Sequence, residues 1–214
     1  SPVANNVFLI KAFDAWYQFD SFKTLTDMGL HDWLRFHDYK FWYPQGVDRF
    51  ALRPGLLIAA SLSYWFLNAL GIPVTHLEVA FYFPAFMGGL TVLVMYFLGK
   101  EVLDRRAGLL SAFFLAFSPG HMQRTVCGFF DNETVGVFAV LFAFLFFIRA
   151  VKYGKLSNGV LSGIGIGFLS LSWGGLTYVY GLLPLIVGIL ILMEKYNARV
   201  FMAYSSSIGV GLLI

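Results

Sequence analysis

The sequence predicts an all-α polytopic membrane protein. Of its 214 residues, 58% are hydrophobic and only 13% are charged, whereas a soluble globular domain carries about 25% charged residues. The mean hydropathy is +0.72, and several apolar runs approach the roughly 20 residues that a helix needs to cross a bilayer. The bases lie at the ends of these runs and not on one face, so the net charge of +3 says little about nucleic acid. We expect membrane lipid, and no nucleic acid, among the partners.

Residues 1–10 are interpreted as the end of a first transmembrane helix or its flank. The apolar stretch 7–10 is too short to cross a bilayer. No signal peptide is recognisable. The single cysteine, Cys127, excludes a disulfide within the chain.

Residues 11–76 are predicted to form a long external loop with amphipathic and buried helices. Six of the twelve acids lie here: Asp14, Asp20, Asp27, Asp32, Asp38 and Asp48. Interleaved Trp and Tyr side chains favour the membrane–water interface. The three-to-four spacing of Phe19, Phe22, Leu25 and Thr26 predicts an amphipathic helix along the surface.

Residues 77–214 are predicted to form a transmembrane helical bundle. The apolar runs that reach or approach a crossing, counting one in the preceding loop, are 54–72, 77–99, 107–119, 134–151, 158–193 (long enough for two) and one beginning near Val200. Small residues inside these runs, which permit close helix packing, are Gly88, Gly89, Gly159, Gly163, Gly165 and Gly167.

Three basic clusters set the expected topology. They are Lys100 with Arg105 and Arg106; Arg149 with Lys152 and Lys155; and Lys195 with Arg199. The positive-inside rule places all three in the cytoplasm. The outer ends of the bundle are then the acidic loop near 118–136 and the turn at 173–175. Run 54–72 stays outside as a buried or re-entrant helix, so Asp14 shares a side with Asp131.

The most informative stretch is that acidic loop, 118–136. Asp131 and Glu133 are the only acids between Asp104 and Glu194. A charge near the bilayer core costs about 2.5–3.5 kcal/mol, so acids at a membrane edge are a functional-site hypothesis by default. Together with Asp14, they supply hard oxygen ligands of the kind that Mg²⁺ and Mn²⁺ prefer.

Simpler interpretations of the same residues stay open. Asp131 and Glu133 also suit a solvated helix start, where acids interact well with the dipole. Asn132-Glu133-Thr134 is formally a glycosylation sequon. Arg124 lies seven residues before Asp131, which on a helix would put both side chains on one face. It also suits a headgroup-level arginine.

Several motifs together resemble the catalytic subunit of oligosaccharyltransferase, most closely the archaeal form. Phe13-Asp14-Ala15-Trp16-Tyr17 resembles its first acidic motif. The second acidic motif, with its preceding arginine, resembles the stretch from Arg124 to Glu133. Two further matches are Phe41-Trp42-Tyr43-Pro44-Gln45-Gly46 followed by Arg53-Pro54-Gly55, and Ser172-Trp173-Gly174-Gly175.

The resemblance implies a GT-C glycosyltransferase in the cell membrane, with its catalytic face on the outer side. It implies transfer of an oligosaccharide from a polyprenyl (dolichyl) phosphate or diphosphate carrier to Asn in Asn-X-Ser/Thr. Mn²⁺ or Mg²⁺ would be held by Asp14, Asp131 and Glu133. Asp14 would also touch the acceptor amide, and Arg124 would support the catalytic pocket.

The chain departs from the family's pattern in two ways. The first motif usually has two acids flanking one residue, but Ala12 occupies the first position. A later external loop with a catalytic glutamate and a C-terminal domain are absent, so we expect these 214 residues alone to be inactive. The rival interpretations are a protein O-mannosyltransferase or similar GT-C enzyme, a transporter with an external cation site, and a non-catalytic scaffold.

Overall fold

The regular structure is overwhelmingly helical, as predicted. The computed structural model describes residues 3–4, 7–49 and 53–214. The helices in this part of the chain are α1 (Phe13–Met28), α2 (Leu30–Trp33), α3 (Gly55–Ala69), α4 (His76–Val102), α5 (Arg105–Ala116), α6 (Pro119–Thr125), α7 (Glu133–Tyr153), α8 (Leu156–Ser172), α9 (Leu176–Leu192) and α10 (Ala198–Leu213).

The start of the chain differs from the sequence expectation. β1 (Val3–Ala4) and β2 (Val7–Phe8) pair antiparallel, so the described residues of segment 1–10 are not the end of a helix. β-Branched valines favour strands, and so short an apolar run cannot nucleate a helix. Residues 1, 2, 5 and 6 lie outside the described part, and the alternative, a flank of a preceding span, stays a prediction.

The predicted external loop contains α1, α2 and α3 and a small hairpin of β3 (His37–Asp38) and β4 (Val47–Asp48). α1 is the expected helix, but its apolar side packs against protein. Phe22 is fully buried, with its ring centroid 6.2 Å from that of Tyr64 in α3 and 5.4 Å from that of His76 in α4. The loop is therefore a folded layer on the start of α4. Residues 50–52 lie outside the described part.

Two helices in the described part of the chain are long and apolar enough to cross a membrane: α4, with 27 residues, and α7, with 21. The apolar run 107–119 is not one helix. It ends at Ala116, Ser118 is extended, and Pro119 opens α6, because proline suits the first turn of a helix better than its interior. With 12 residues, α5 is about 18 Å long, so α5 and α6 return along α4 as a broken pair.

Close packing of α8 against α10 depends on glycine, as predicted. A Cβ at Gly163 would lie 2.5 Å from the Val210 Cβ. Ser162 in α8 donates a hydrogen bond to the Ala143 carbonyl of α7 at 2.9 Å. Small residues thus bring α8 close to both neighbours.

The basic clusters meet at one end of the bundle. Glu101, near the end of α4, is 3.1 Å from both Arg149 Nε and Lys152 Nζ of α7, and it accepts a hydrogen bond from Tyr153 at 2.7 Å. Arg199 of α10 donates to the Lys152 carbonyl at 3.3 Å. Asp131 precedes the other end of α7, about 30 Å away. The bases therefore gather at the end opposite Asp131, and the side of the membrane that each end faces stays a prediction.

We expect Glu101→Gln to lower the thermal unfolding midpoint of the detergent-solubilised protein. Glu101 is only 8% exposed, and hydrogen bonds to a charged group contribute about 1.5–3 kcal/mol. The neutral amide leaves two bases without their counter-charge. Glu194→Gln is the matched control, because Glu194 is exposed and makes no side-chain hydrogen bond within the described residues. Equal midpoints for the two variants would show that the cluster does not join α4 to α7.

Candidate functional site

A half-open cavity of about 280 Å³ contains both Asp14 and Asp131, which precede and follow the long helix α4 in the chain. Its lining residues are Asp14, Tyr17, Gln18, Phe41, Trp42, Asp131 and Asn132. They come from the start of α1, the β3–β4 loop and the residues before α7. Asp14 and Asp131 therefore share one cavity, as the sequence predicts.

The two acidic segments are joined through Gly128. The Lys11 amide donates to the Gly128 carbonyl at 2.8 Å, and the Gly128 amide donates to the Phe81 carbonyl of α4 at 2.9 Å. Gly128 has φ +85°, and a Cβ there would collide with the Leu9 carbonyl oxygen. Only glycine combines that backbone conformation with so close an approach. The segment leading into Asp14 is thus fixed against the one leading into Asp131.

Asp131 is held on both sides. The preceding Phe130 is fully buried, with its ring centroid 5.7 Å from that of Phe22 and 6.0 Å from that of Phe83. Asp131 Oδ1 accepts a hydrogen bond from the Asn132 amide at 2.7 Å. The residue is only 9% exposed, so its carboxylate stands at the cavity wall with little freedom to move.

Glu133 faces a different cavity. It lines a space of about 320 Å³ together with His121, Arg124 and Trp173. Asp131 and Glu133 thus line two adjoining cavities, and their carboxylates are close enough to interact. The structure places Asp14 and Asp131 in one cavity and Glu133 in the next, and the sharing of one ion by all three acids stays a prediction.

Arg124 pairs with Glu133 and not along a helix with Asp131. Its Nη1 is 3.4 Å from both Glu133 carboxylate oxygens, and its guanidinium carbon lies 5.1 Å from the Phe129 ring centroid. The shared-face argument fails because α6 ends at Thr125. Arg124 nevertheless adjoins the acidic motif, as expected from the resemblance.

The Trp173 turn closes the second cavity. Trp173 packs tightly on α7, because a Cβ added at Gly136 would lie only 2.8 Å from the Cβ of Trp173. Arg53 Nη1 lies 2.8 Å from where a Cβ of Gly174 would stand. The motif residues 172–175 and 53–55 therefore meet beside the start of α7.

The β3–β4 hairpin that carries Phe41 and Trp42 is fixed by His37. Its Nδ1 is 2.7 Å from Asp48 Oδ1 and its Nε2 is 2.9 Å from the Gln45 carbonyl. The Asp48 carboxylate, and then the carbonyl, raise the pKa of His37, because both ring nitrogens donate only in the protonated form.

The donor set suits an oxygen-coordinated divalent cation in part. In the part of the chain that the structure describes, no group of three His, Cys, Asp or Glu side chains is arranged to hold a metal ion. Asp14 and Asp131 do share a cavity with Asn132, whose buried Oδ1 has no hydrogen-bond partner among the described residues. Sequence reasoning missed Asn132, together with the aromatic wall of Tyr17, Phe41 and Trp42. The only sequence signal at Asn132 is the sequon Asn132-Glu133-Thr134, which indicates glycosylation and not metal binding.

Comparison with known proteins gives one consistent family. The family "Oligosaccharyl transferase STT3, N-terminal" matches residues 3–214. The chain is 35% identical over 207 residues to the dolichyl-diphosphooligosaccharide–protein glycosyltransferase subunit STT3B of Arabidopsis thaliana, and 36% identical to that of Oryza sativa subsp. japonica. Each alignment covers 96% of this chain, and the chain spans 28% and 29% of those two proteins.

The fold matches solved structures of the Archaeoglobus fulgidus oligosaccharyltransferase. A complex with Zn and sulfate superposes with TM-score 0.83 at 25% identity, covering all of this chain and 28% of the other. A complex with an inhibitory peptide and a dolichol-phosphate gives TM-score 0.81 at 24% identity, covering 99% and 26%. The GT-C fold expectation is confirmed. The expectation that the chain is most similar to the archaeal form stays a prediction, because the two relatives above are plant proteins.

Proposed function

The chain belongs to the STT3 family of oligosaccharyl transferases, and we propose that it serves the transfer of an oligosaccharide from a dolichyl-type phosphate or diphosphate carrier to Asn in Asn-X-Ser/Thr. The observation that carries the proposal is the cavity shared by Asp14 and Asp131. It opens at the end of the bundle opposite the basic clusters. By the positive-inside rule this end faces outward, so the proposed site lies on the exoplasmic side of a multi-pass cell-membrane protein.

We assign Asp14, Asp131 and Glu133 to a divalent cation, with Mn²⁺ or Mg²⁺ as the ion. Support comes from the oxygen-only donor set, to which the unpartnered Asn132 Oδ1 adds a fourth oxygen. A structural relative is described as a complex with Zn and sulfate. When bound, such an ion neutralises charge on a leaving phosphate. Glu133 would contribute from the adjoining cavity, where its carboxylate interacts with Asp131.

The chain's own residues supply orientation. Transfer forms a bond from the acceptor amide nitrogen to the sugar's anomeric carbon and breaks that carbon's bond to phosphate oxygen. The carrier leaves as its free phosphate or diphosphate, and one amide proton is released to solvent. An amide nitrogen is a poor nucleophile because its lone pair is delocalised. The exposed Asp14 carboxylate accepts an N–H from the acceptor amide and directs the nitrogen at the sugar. Phe41 and Trp42 form the facing wall and limit water around the reacting atoms.

Arg124 holds the second half of the site. Its contact at 3.4 Å orients Glu133. The cavity beside it also contains the apolar side chains of Leu115, Val137 and Trp173. A cationic group next to an apolar wall suits the junction between a phosphate and a polyprenyl chain, so we place the carrier there.

Metal removal tests the proposed function. We expect the full-length protein to transfer glycan from a lipid-linked donor to a peptide containing Asn-X-Thr, to lose transfer at least about 100-fold with EDTA, and to regain it with Mn²⁺ or Mg²⁺. A matched peptide with Gln in place of Asn should accept nothing. Glycan on the Thr of the Gln peptide would instead identify an O-glycosyltransferase. Full transfer in EDTA would overturn the metal assignment.

A further inference from the structure

Arg49 is the most deeply buried charge in the described part of the predicted external loop. Its side chain is 1% exposed, and Nε donates to Asp38 Oδ2 at 2.9 Å while Nη2 donates to the same oxygen. Nη1 donates to Ser21 Oγ of α1, and Asp20 lies 3.7 Å from Nη2. Asp38 itself is 3% exposed. One guanidinium thus joins the β3–β4 hairpin to α1.

The same guanidinium stacks on two rings of the candidate site. Its carbon lies 4.3 Å from the centroid of the Phe41 ring and 5.2 Å from that of Tyr17. The two rings meet edge to face, with centroids 4.6 Å apart. Both line the cavity that contains Asp14 and Asp131. Arg49 lies behind this aromatic wall and supports it without lining the cavity.

Arg49 also contacts the face of α1 that carries Asp14. Asp14, Tyr17 and Ser21 are spaced three and four residues apart, so they lie on one face of the helix. Arg49 contacts the last two of them. The position and rotation of that face, and hence the direction of the Asp14 carboxylate, depend on this contact.

Stability alone is a weak reason to bury such a pair. Replacing a buried ion pair by apolar side chains of similar volume is often neutral or stabilising by about 1–4 kcal/mol, whereas removing one partner costs about 3–5 kcal/mol. A planar fork that binds a carboxylate and stacks on aromatic rings at once is a property of arginine that lysine lacks. The arrangement at Arg49 uses both properties.

We propose that Arg49, through Asp38, is a positioning residue for glycan transfer that sets the aromatic wall and the Asp14 carboxylate without touching substrate. This inference rests on the proposed function. Residues that orient the ligands of a metal ion typically change metal affinity or activity by about 10–100-fold when they are mutated. A shift of about 1 Å in a reacting group can cost about 100-fold in rate.

Two variants of the full-length protein separate positioning from folding. Arg49→Lys keeps the charge opposite Asp38 but loses the planar fork. The double variant Arg49→Met with Asp38→Leu removes both charges and fills their volume. For each we expect a monodisperse, folded protein whose turnover falls about 10–100-fold and whose Mn²⁺ affinity weakens, with little change in KM for donor or peptide. Arg35→Lys is the control, because Arg35 is exposed and makes no side-chain hydrogen bond within the described residues.

The outcomes are distinguishable. A purely structural Arg49 would be rescued by lysine or by the apolar pair, so turnover and Mn²⁺ affinity within about twofold of wild type in either variant would overturn the positioning role. The proposed function stands in that case if the wild-type protein transfers glycan and Asp131→Asn does not. If the wild-type protein transfers nothing to the Asn peptide, the proposed function has failed instead.

Discussion

Asp131→Asn is expected to reduce glycan transfer by the full-length protein about 10²–10³-fold, as loss of one preorganised charge-stabilising group does in other enzymes. The amide keeps the shape of the side chain and an oxygen for the Asn132 amide, whose hydrogen bond is 2.7 Å long. It removes the negative charge that an ion in this cavity requires. The measurement is turnover with saturating lipid-linked donor and an Asn-X-Thr peptide.

Asp27→Asn is the matched control for this change. Asp27 is an exposed acid near the far end of α1, about 20 Å from Asp14 along the helix. Its variant should retain wild-type turnover, and both variants should insert into membranes equally. Near-normal turnover by Asp131→Asn would remove Asp131 from the site.

Gly128→Ala is expected to destabilise the protein by about 3 kcal/mol or more and to abolish transfer. The left-handed backbone alone costs an alanine about 1–2 kcal/mol, and its methyl group would collide with the Leu9 carbonyl. Relief of that collision moves the strand that leads into Asp14 away from the loop that leads into Asp131. Thermal unfolding and turnover of the same preparation measure the two effects.

Gly71→Ala isolates the backbone contribution. Gly71 has φ +77°, but a Cβ there would meet no atom within 4 Å. Its variant should lose only about 1–2 kcal/mol and should keep its turnover. If Gly71→Ala and Gly128→Ala behaved alike, the contact between Leu9 and Gly128 would not be what joins the two acidic segments.

The helices of the bundle could be predicted because apolar length and the placement of bases are local signals. The run 134–151 predicts α7 to within two residues, since nothing inside it interrupts the helix. The run 107–119 predicts a helix that is too long at its end, because α5 stops at Ala116 and Pro119 opens a new helix. Element type was therefore easier to predict than the point where a helix breaks.

The candidate site could be predicted only as a set of acids. Shared topology and the family resemblance bring Asp14 to the same side as Asp131, and the structure agrees. The pairing of Arg124 with Glu133 depends on how the chain turns through Gly128, which helical periodicity does not describe. The sequence does not indicate the role of Arg49, because only tertiary packing determines that it pairs with Asp38 and not with another of the six acids of the loop.

The most direct test of a shared ion site is the position of Mn²⁺ in anomalous scattering from crystals of the full-length protein. The account predicts one peak in the cavity, about 2.0–2.3 Å from carboxylate oxygens of both Asp14 and Asp131, as expected for a hard cation with oxygen ligands. A peak bound elsewhere, or to one of these carboxylates with the other turned away, in a preparation whose glycan transfer requires Mn²⁺, would contradict it.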